Sequence, residues 1–285
     1  MSEVKKIATR EAYGNALAEF GENYPDLYVL DADLAAATKT SVFKKKYPDR
    51  HIDCGIAEAN MMGIAAGLSL TGAIPVASYV GEDGASHQCN EDIALMRSIP
   101  GMTILSPSDA VEARACVKAA LDIKGPVYMR FGRAAVPVIN DRPDYRFEIG
   151  KGEIVREGTD VTIVATGIMV NSALEAAEML AEEGIRAEVI NICTIKPLDV
   201  ELIVKSVKKT GKVVTAEEHS VIGGLGGAVC EALSEAYPVP VYRIGVRDVF
   251  GESGSAAALL EKYELDGKGV YRQVKNFIIT RRNEP

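Results

Sequence analysis

Glu58 is the lone acid in an otherwise apolar, small-residue stretch, Cys54-Gly-Ile-Ala-Glu-Ala-Asn-Met-Met-Gly-Ile-Ala-Ala-Gly-Leu-Ser-Leu-Thr-Gly72. A carboxylate in such company is costly unless it is neutral, paired or used on a ligand. Two effects compete there. A place in the first helical turn favours the anion by about 0.3–1 kcal/mol. Burial among Ile56, Ala57, Met61 and Met62 favours the neutral acid more strongly, provided a covering surface excludes water. The plainer reading is a partly exposed acid that helps the helix dipole. A second polar stretch, Gly81-Glu-Asp-Gly-Ala-Ser-His-Gln88, ends an apolar strand. Asp83 can accept hydrogen bonds and His87 can donate one, a pair suited to hydroxyl groups and a developing oxyanion. A surface turn with a solvated histidine is the plain alternative.

The elements that must position these residues alternate in type along the whole chain, the pattern of a mostly parallel sheet covered by helices. In the first half, strands are expected at 27–30, 74–78, 102–105 and 127–130, with the first ending in Asp31-Ala-Asp33. Helices are expected at 9–22, 56–70, 89–98 and 109–122, the last capped by Ser108 or Asp109. Residues 132–152 have no period and read as an interdomain linker. Strands at 161–166, 187–192, 212–216 and 240–246 and helices at 170–183, 198–208 and 225–236 then restart the alternation. The expected fold is α/β in two domains: a mostly parallel, doubly wound sheet over 1–137 and a smaller α/β domain over 150–285. Gly223-Gly-Leu-Gly-Gly227 opens a helix, but its spacing is not a dinucleotide fingerprint; a tight turn and close packing explain it better. For His219 the sequence offers no chemical partner.

Of the 285 residues, 47% are hydrophobic and 25% charged, and the net charge is −8. That balance suits a globular protein and disfavours binding to nucleic-acid backbones. No apolar leader or run of membrane-spanning length occurs. The five cysteines lack Cys-x-x-Cys spacing and read as reduced thiols, so a cytoplasmic location is expected. With three isolated histidines, no zinc site is suggested.

Together, Gly55-Ile-Ala-Glu58 and Gly81-Glu-Asp-Gly84 with His87, Gln88 and Glu91-Asp-Ile-Ala-Leu-Met-Arg97 resemble the C-terminal subunit of a split transketolase. The resemblance runs over nearly the whole chain. It implies a thiamine-diphosphate-binding fold of the pyrimidine type followed by a transketolase C-terminal domain. It also implies transfer of a two-carbon ketol unit between ketose and aldose phosphates, as in the pentose phosphate pathway. By the same resemblance, Glu58 hydrogen-bonds the cofactor's aminopyrimidine and is catalytic, and Ile56 and Asp33 border the cofactor. Asp83 and His87 contact the donor sugar, His87 with a catalytic part, and Arg10 and Arg130 bind the sugar phosphate. An arginine fork suits phosphate better than a lysine point charge. A family serine that contacts phosphate falls at or near Ala37 here, so Thr38 or Thr40 is expected to stand in.

The family's Gly-Asp-Gly motif with a following Asn, which holds a Mg2+ or Ca2+ ion on the cofactor diphosphate, is absent from this sequence. A separate N-terminal subunit is therefore expected to supply the metal ligands, in an α2β2 heterotetramer, with self-association through this chain and no membrane or nucleic-acid partner. Relatives also follow the strand ending at Ser78 with an aromatic-containing helix and another strand. Here Ser78-Tyr-Val-Gly81 runs straight on, about thirty residues short, the size of a βα crossover. Because deletion would remove catalytic parts and spare the flanks, we expect the segment to exist in the polypeptide outside the 285 residues read. Alternatives are a β-type subunit of a 2-oxo-acid dehydrogenase, half of a deoxyxylulose-phosphate synthase, or a non-catalytic dimerising scaffold.

Overall fold

A computed structural model describes residues 5–78 and 88–282. Along the chain the elements are β1 (Lys6–Ala8), α1 (Thr9–Phe20), β2 (Leu27–Asp31), α2 (Ala35–Thr38), α3 (Ser41–Lys46), β3 (His51–Asp53), α4 (Glu58–Ser69), β4 (Ile74–Ser78), α5 (Asp92–Ser98), β5 (Thr103–Leu105), α6 (Ala110–Asp122), β6 (Val127–Met129), β7 (Ala135–Pro137), β8 (Glu153–Arg156), β9 (Val161–Ala165), α7 (Met169–Glu182), β10 (Ala187–Asn191), β11 (Thr194–Lys196), α8 (Val200–Thr210), β12 (Val213–Ser220), α9 (Leu225–Ala236), β13 (Val241–Val246), α10 (Ala256–Lys262) and α11 (Gly267–Arg282). The fold is mixed α/β with parallel sheets, and the chain divides into two compact units.

Of the described residues, the first unit takes 5–78, 109–123 and 131–143. Its parallel sheet has the order β3-β2-β4, and β1 pairs antiparallel with β7. That pairing draws the start of the expected linker into structure. Leu30 and Ala32 pack beneath Met61 and Ala65 of α4. Asp109 caps α6 as expected: Oδ1 accepts the Glu112 N–H at 2.9 Å, while Oδ2 takes the N–H groups of Ile139 and Asn140 at 2.7 Å each. One buried carboxylate thereby satisfies a helix end and a crossing loop together.

Of the described residues, the second unit takes 88–108, 124–130 and 144–282. Its main sheet runs β13-β12-β9-β10-β8, parallel except for β8. Every residue of Val161–Ala165 is buried, because the strand is central and helices cover both faces, so an unbroken apolar run suits it. A smaller sheet, β11-β5-β6, belongs to the same unit. The parallel strands of the first half are thus shared between two sheets. β5 finds an antiparallel neighbour in β11, far along the chain, and that pairing carries 88–108 into the second unit.

Candidate active site

Three strands of the first unit end side by side on polar residues. Asp31 of β2 is in register with Asp53 of β3 and Ser78 of β4. Ligands of open parallel sheets bind beyond this edge. The Asp31 side chain is fully buried, where an isolated carboxylate would be costly. It is held by the Leu34 N–H, 3.2 Å from Oδ1, and by the Thr40 hydroxyl, 3.0 Å from Oδ2. His51 Nε2 lies 2.7 Å from Oδ2 but off the line of a straight hydrogen bond, so its hold is chiefly electrostatic. The Tyr13 and Ser78 hydroxyls bond to each other. Burial raises the Tyr13 phenol well above its ordinary value, against the Ser78 bond and with a contribution from the charge of Asp31.

Asp33 follows at φ 60°, a left-handed conformation that costs a non-glycine residue about 1–2 kcal/mol. Its N–H donates to Asp53 Oδ1 at 3.1 Å, and the same oxygen accepts the Gly55 N–H at 3.1 Å. These two bonds, Gly55 first, hold the Asp53 carboxyl below its ordinary value. The Asp33 turn and the Gly55-Ile-Ala-Glu58 loop are therefore joined through one carboxylate.

Glu58 opens α4 and is half-buried; Ala57 at the N-cap makes no side-chain cap. The expected burial among four apolar neighbours is not achieved within this chain. Met61 is buried, but Ile56 is 83% and Met62 59% exposed. The strands beneath take one side of α4, and among the described residues nothing lies within 4 Å of where a Cβ would stand at Gly55, Gly63 or Gly67. A helix apolar all round needs cover on its outer side too.

Arg10 lies on α1, and its Nη1 donates to the Ala37 carbonyl at 3.0 Å. The expectation that Thr38 or Thr40 stands in for a phosphate-binding serine is not met. Both are buried. Thr40 donates to Asp31, and Thr38 bonds the Leu34 carbonyl and Thr40, because a short helix followed by left-handed Lys39 turns both hydroxyls inward.

In the second unit, Arg130 is engaged on every side that carries nitrogen. Nε donates to Asp92 Oδ2 at 3.1 Å, Nη1 to Glu218 Oε2 at 3.0 Å and Nη2 to the Cys89 carbonyl at 3.3 Å. The Tyr128 hydroxyl donates to Asp92 at 2.7 Å. Burial, then the charge of Asp92, raises that phenol far above its ordinary value. His219, without an evident partner in the sequence, has several. Nδ1 lies 2.7 Å from the Ser220 carbonyl and must donate, while Nε2 receives the Ala94 N–H at 3.4 Å. Those bonds select a neutral tautomer, and burial lowers its pKa. Glu217, fully buried, accepts the N–H groups of Leu225 and Gly226 at 2.6 and 2.8 Å, at the start of α9. Burial pushes its carboxyl up to about 7 against those two donors.

Asp83 and His87 lie outside the described residues. Among the described residues, no three or more His, Cys, Asp or Glu side chains are grouped to hold a metal, and no helix is long and apolar enough to cross a membrane. Asp31, His51 and Asp53 were not singled out from sequence as site residues. The polar ends of two neighbouring strands were the available signal.

The family pattern described as "Transketolase, pyrimidine binding domain" matches residues 5–79 and 74–138, and "Transketolase, C-terminal domain" matches 150–270. The chain belongs to the transketolase family, thiamine-dependent transferases. The putative transketolase C-terminal section of Methanocaldococcus jannaschii is 43% identical over 301 residues, covering 93% of this chain and 94% of that protein. A 6-deoxy-6-sulfo-D-fructose transketolase subunit of Clostridium sp. is also 43% identical, covering 92% of each. A solved structure titled "Split gene transketolase, inactive beta4 tetramer" matches with a TM-score of 0.90 and 51% identity, over 96% of this chain and 99% of that one. The pyrimidine-domain match breaks into two pieces at 74–79, where the sequence reading places the missing crossover.

Proposed function

We propose that this chain is the C-terminal subunit of a two-chain transketolase, moving a two-carbon ketol unit between sugars that carry a terminal anionic group. The observation that carries the reading is Glu58: a half-buried acid opening an apolar helix whose outer face stands uncovered beyond the sheet edge. A partner subunit laid over Ile56 and Met62 would exclude water from that carboxyl. The residues at this edge fit the aminopyrimidine end of thiamine diphosphate, with Glu58 holding a proton at a ring nitrogen and Ile56 giving the ring an apolar neighbour. When bound, the cofactor supplies the electron sink for carbon–carbon cleavage. Because the family's Gly-Asp-Gly motif with a following Asn is absent from this sequence, we assign the ligands of the diphosphate and its Mg2+ or Ca2+ ion to the partner subunit.

Arg10 is the first unit's candidate for the anionic end of the sugar, and Asp33 borders the cofactor. Arg130 reaches a substrate anion only by giving up Asp92 or Glu218. Asp83 and His87 keep their proposed roles toward the donor sugar. Residues 1–137 form the catalytic half in this reading and 150–285 the C-terminal domain. The sulfosugar name of one relative leaves the terminal anion open between phosphate and sulfonate. A second reading draws on the neighbour titled an inactive tetramer: copies of this chain cover one another's α4 when the partner is absent.

The test is ketol transfer by each chain alone and by both together, with wild type and Glu58→Gln. Activity is expected only from the pair, and loss of the proton-holding carboxyl should lower kcat by about 10²–10⁴-fold with assembly intact. Full activity from this chain alone, or an E58Q complex as fast as wild type, refutes the assignment.

A further inference from the structure

The most deeply buried carboxylate at the edge of the first unit's parallel sheet belongs to a residue that the proposed chemistry leaves idle. Asp31 is fully buried and the His51 side chain is 1% exposed. Buried ion pairs can often be replaced by apolar residues of similar volume with a neutral or stabilising effect. The polar atoms are nevertheless directed at one object. Asp31 Oδ1 takes the Leu34 N–H, and Asp53 Oδ1, from the neighbouring strand end, takes the Asp33 N–H. Two consecutive amides are thus gripped by two in-register carboxylates, and left-handed Asp33 lies between the grips. Backbone outliers persist where the surroundings over-determine them, and they cluster at functional sites.

We infer that Asp31 and His51 are positioning residues, a buried carboxylate–imidazole pair that fixes the Asp33 turn and, through Asp53 and Gly55, the loop delivering Glu58. This rests on the proposed reading of Asp33 and Glu58 as cofactor-facing. The imidazole holds Asp31 in place. Nε2 stands 2.7 Å from a carboxylate oxygen, off the line of a straight hydrogen bond, and neither ring nitrogen has a hydrogen-bond partner among the described residues. The ring's close polar contact is thus the one with Asp31. Thr40 steadies the second oxygen from the junction of α2 and α3. Segments distant in sequence thus converge on one carboxylate that touches the turn directly.

Hydrogen–deuterium exchange across Ala32–Leu34 tests the pair in His51→Phe and His51→Gln, with thiamine diphosphate affinity of the two-chain complex measured by calorimetry. H51F should speed exchange there at least tenfold and weaken the cofactor at least tenfold. H51Q, whose amide can still donate to Asp31, should recover most of both. Unchanged exchange and affinity in folded H51F overturns the inference, as does equal impairment of H51F and H51Q, the sign of a packing role alone. If H51F does not fold, Asp31→Asn is read by the same criteria. If the wild-type complex binds no thiamine diphosphate, the proposed function fails separately, and the exchange comparison alone decides whether the pair holds the turn.

Discussion

Glu217 should make the stability of the second unit fall as pH rises through neutrality, and Glu217→Gln should remove that dependence. Burial holds this carboxyl's proton to about 7, against an ordinary value of 4.5. That difference corresponds to about 3 kcal/mol between protonation states. Between pH 4.5 and 7 the folded state keeps a proton that the unfolded state has released. The stabilisation is complete below 4.5 and is lost as pH rises through 7. His219, with its value lowered by burial, acts oppositely, losing stability as pH falls, so the wild-type curve alone mixes the two. The difference between wild type and E217Q separates them. Glutamine retains one acceptor for Leu225 or Gly226 and turns an N–H toward the other, a roughly pH-independent penalty of about 1–3 kcal/mol. Urea unfolding at pH 5, 6, 7 and 8 should show E217Q more destabilised at pH 5 than at pH 8, by about 2–3 kcal/mol. Parallel curves for the two proteins would refute the reasoning, because Glu217 would then be ionised across the whole range.

A Cβ at Gly224 would stand 2.0 Å from Glu217 Oε2 and 2.6 Å from His219 Nδ1, both on buried side chains, whereas at Gly227 the nearest atom is Arg97 Nη1 at 3.1 Å. Gly224→Ala should therefore cost about 3 kcal/mol or more and Gly227→Ala under about 1 kcal/mol, checked by thermal melts. Arg130→Met leaves Asp92 and Glu218 without their shared cation and should destabilise the second unit by about 2–3 kcal/mol in urea; an unchanged midpoint would mean the arginine has no structural part. If the two-chain enzyme turns over, the intact mass of this polypeptide is expected about 3 kDa above the 30.5 kDa of the 285 residues, the weight of one crossover unit. A mass of 30.5 kDa would instead predict weak cofactor retention, measured by thiamine diphosphate recovered after gel filtration.

Local signals carried much of the fold. Asp109 before Ala110 announces a capped helix, and the apolar run at 161–165 announces a central strand, because each depends on neighbours a few residues away. Pairings remote in sequence were not legible. β11 is three residues long and acquires meaning only by bonding β5, which draws the stretch before Ser108 into the second unit. The same holds at the site. Glu58 stood out because one acid among apolar residues is visible in a single window. Asp31 and His51 are twenty residues apart and meet only when β2 and β3 align. Arg130 looked available for an anion because its carboxylate partners come from α5 and from the distant β12. Thr38 and Thr40 looked available because the inward turn at Lys39 is a matter of backbone conformation, which residue types alone do not specify.

The exposed apolar residues on and beside α4 set a lower bound on what must cover Glu58. Ile56, Met62 and Leu70 are 83%, 59% and 90% exposed. Burying three such side chains contributes about 1.5–3 kcal/mol each, so together somewhat under 10 kcal/mol even if each is fully covered. Association costs about 4–15 kcal/mol in lost translational and rotational freedom before any side chain is ordered. Over most of that range the cost matches or exceeds the gain, so this face alone leaves little surplus for a stable partner. Whatever shields Glu58, a second kind of chain or a second copy, must extend well past α4, toward the roughly 1,600 Å² of a standard interface. Substitutions confined to α4, such as Met62→Ser, are then expected to admit water to Glu58 and slow turnover before they dissociate the complex. Size-exclusion chromatography beside steady-state kinetics separates the two effects, and dissociation without any prior loss of kcat would contradict the argument.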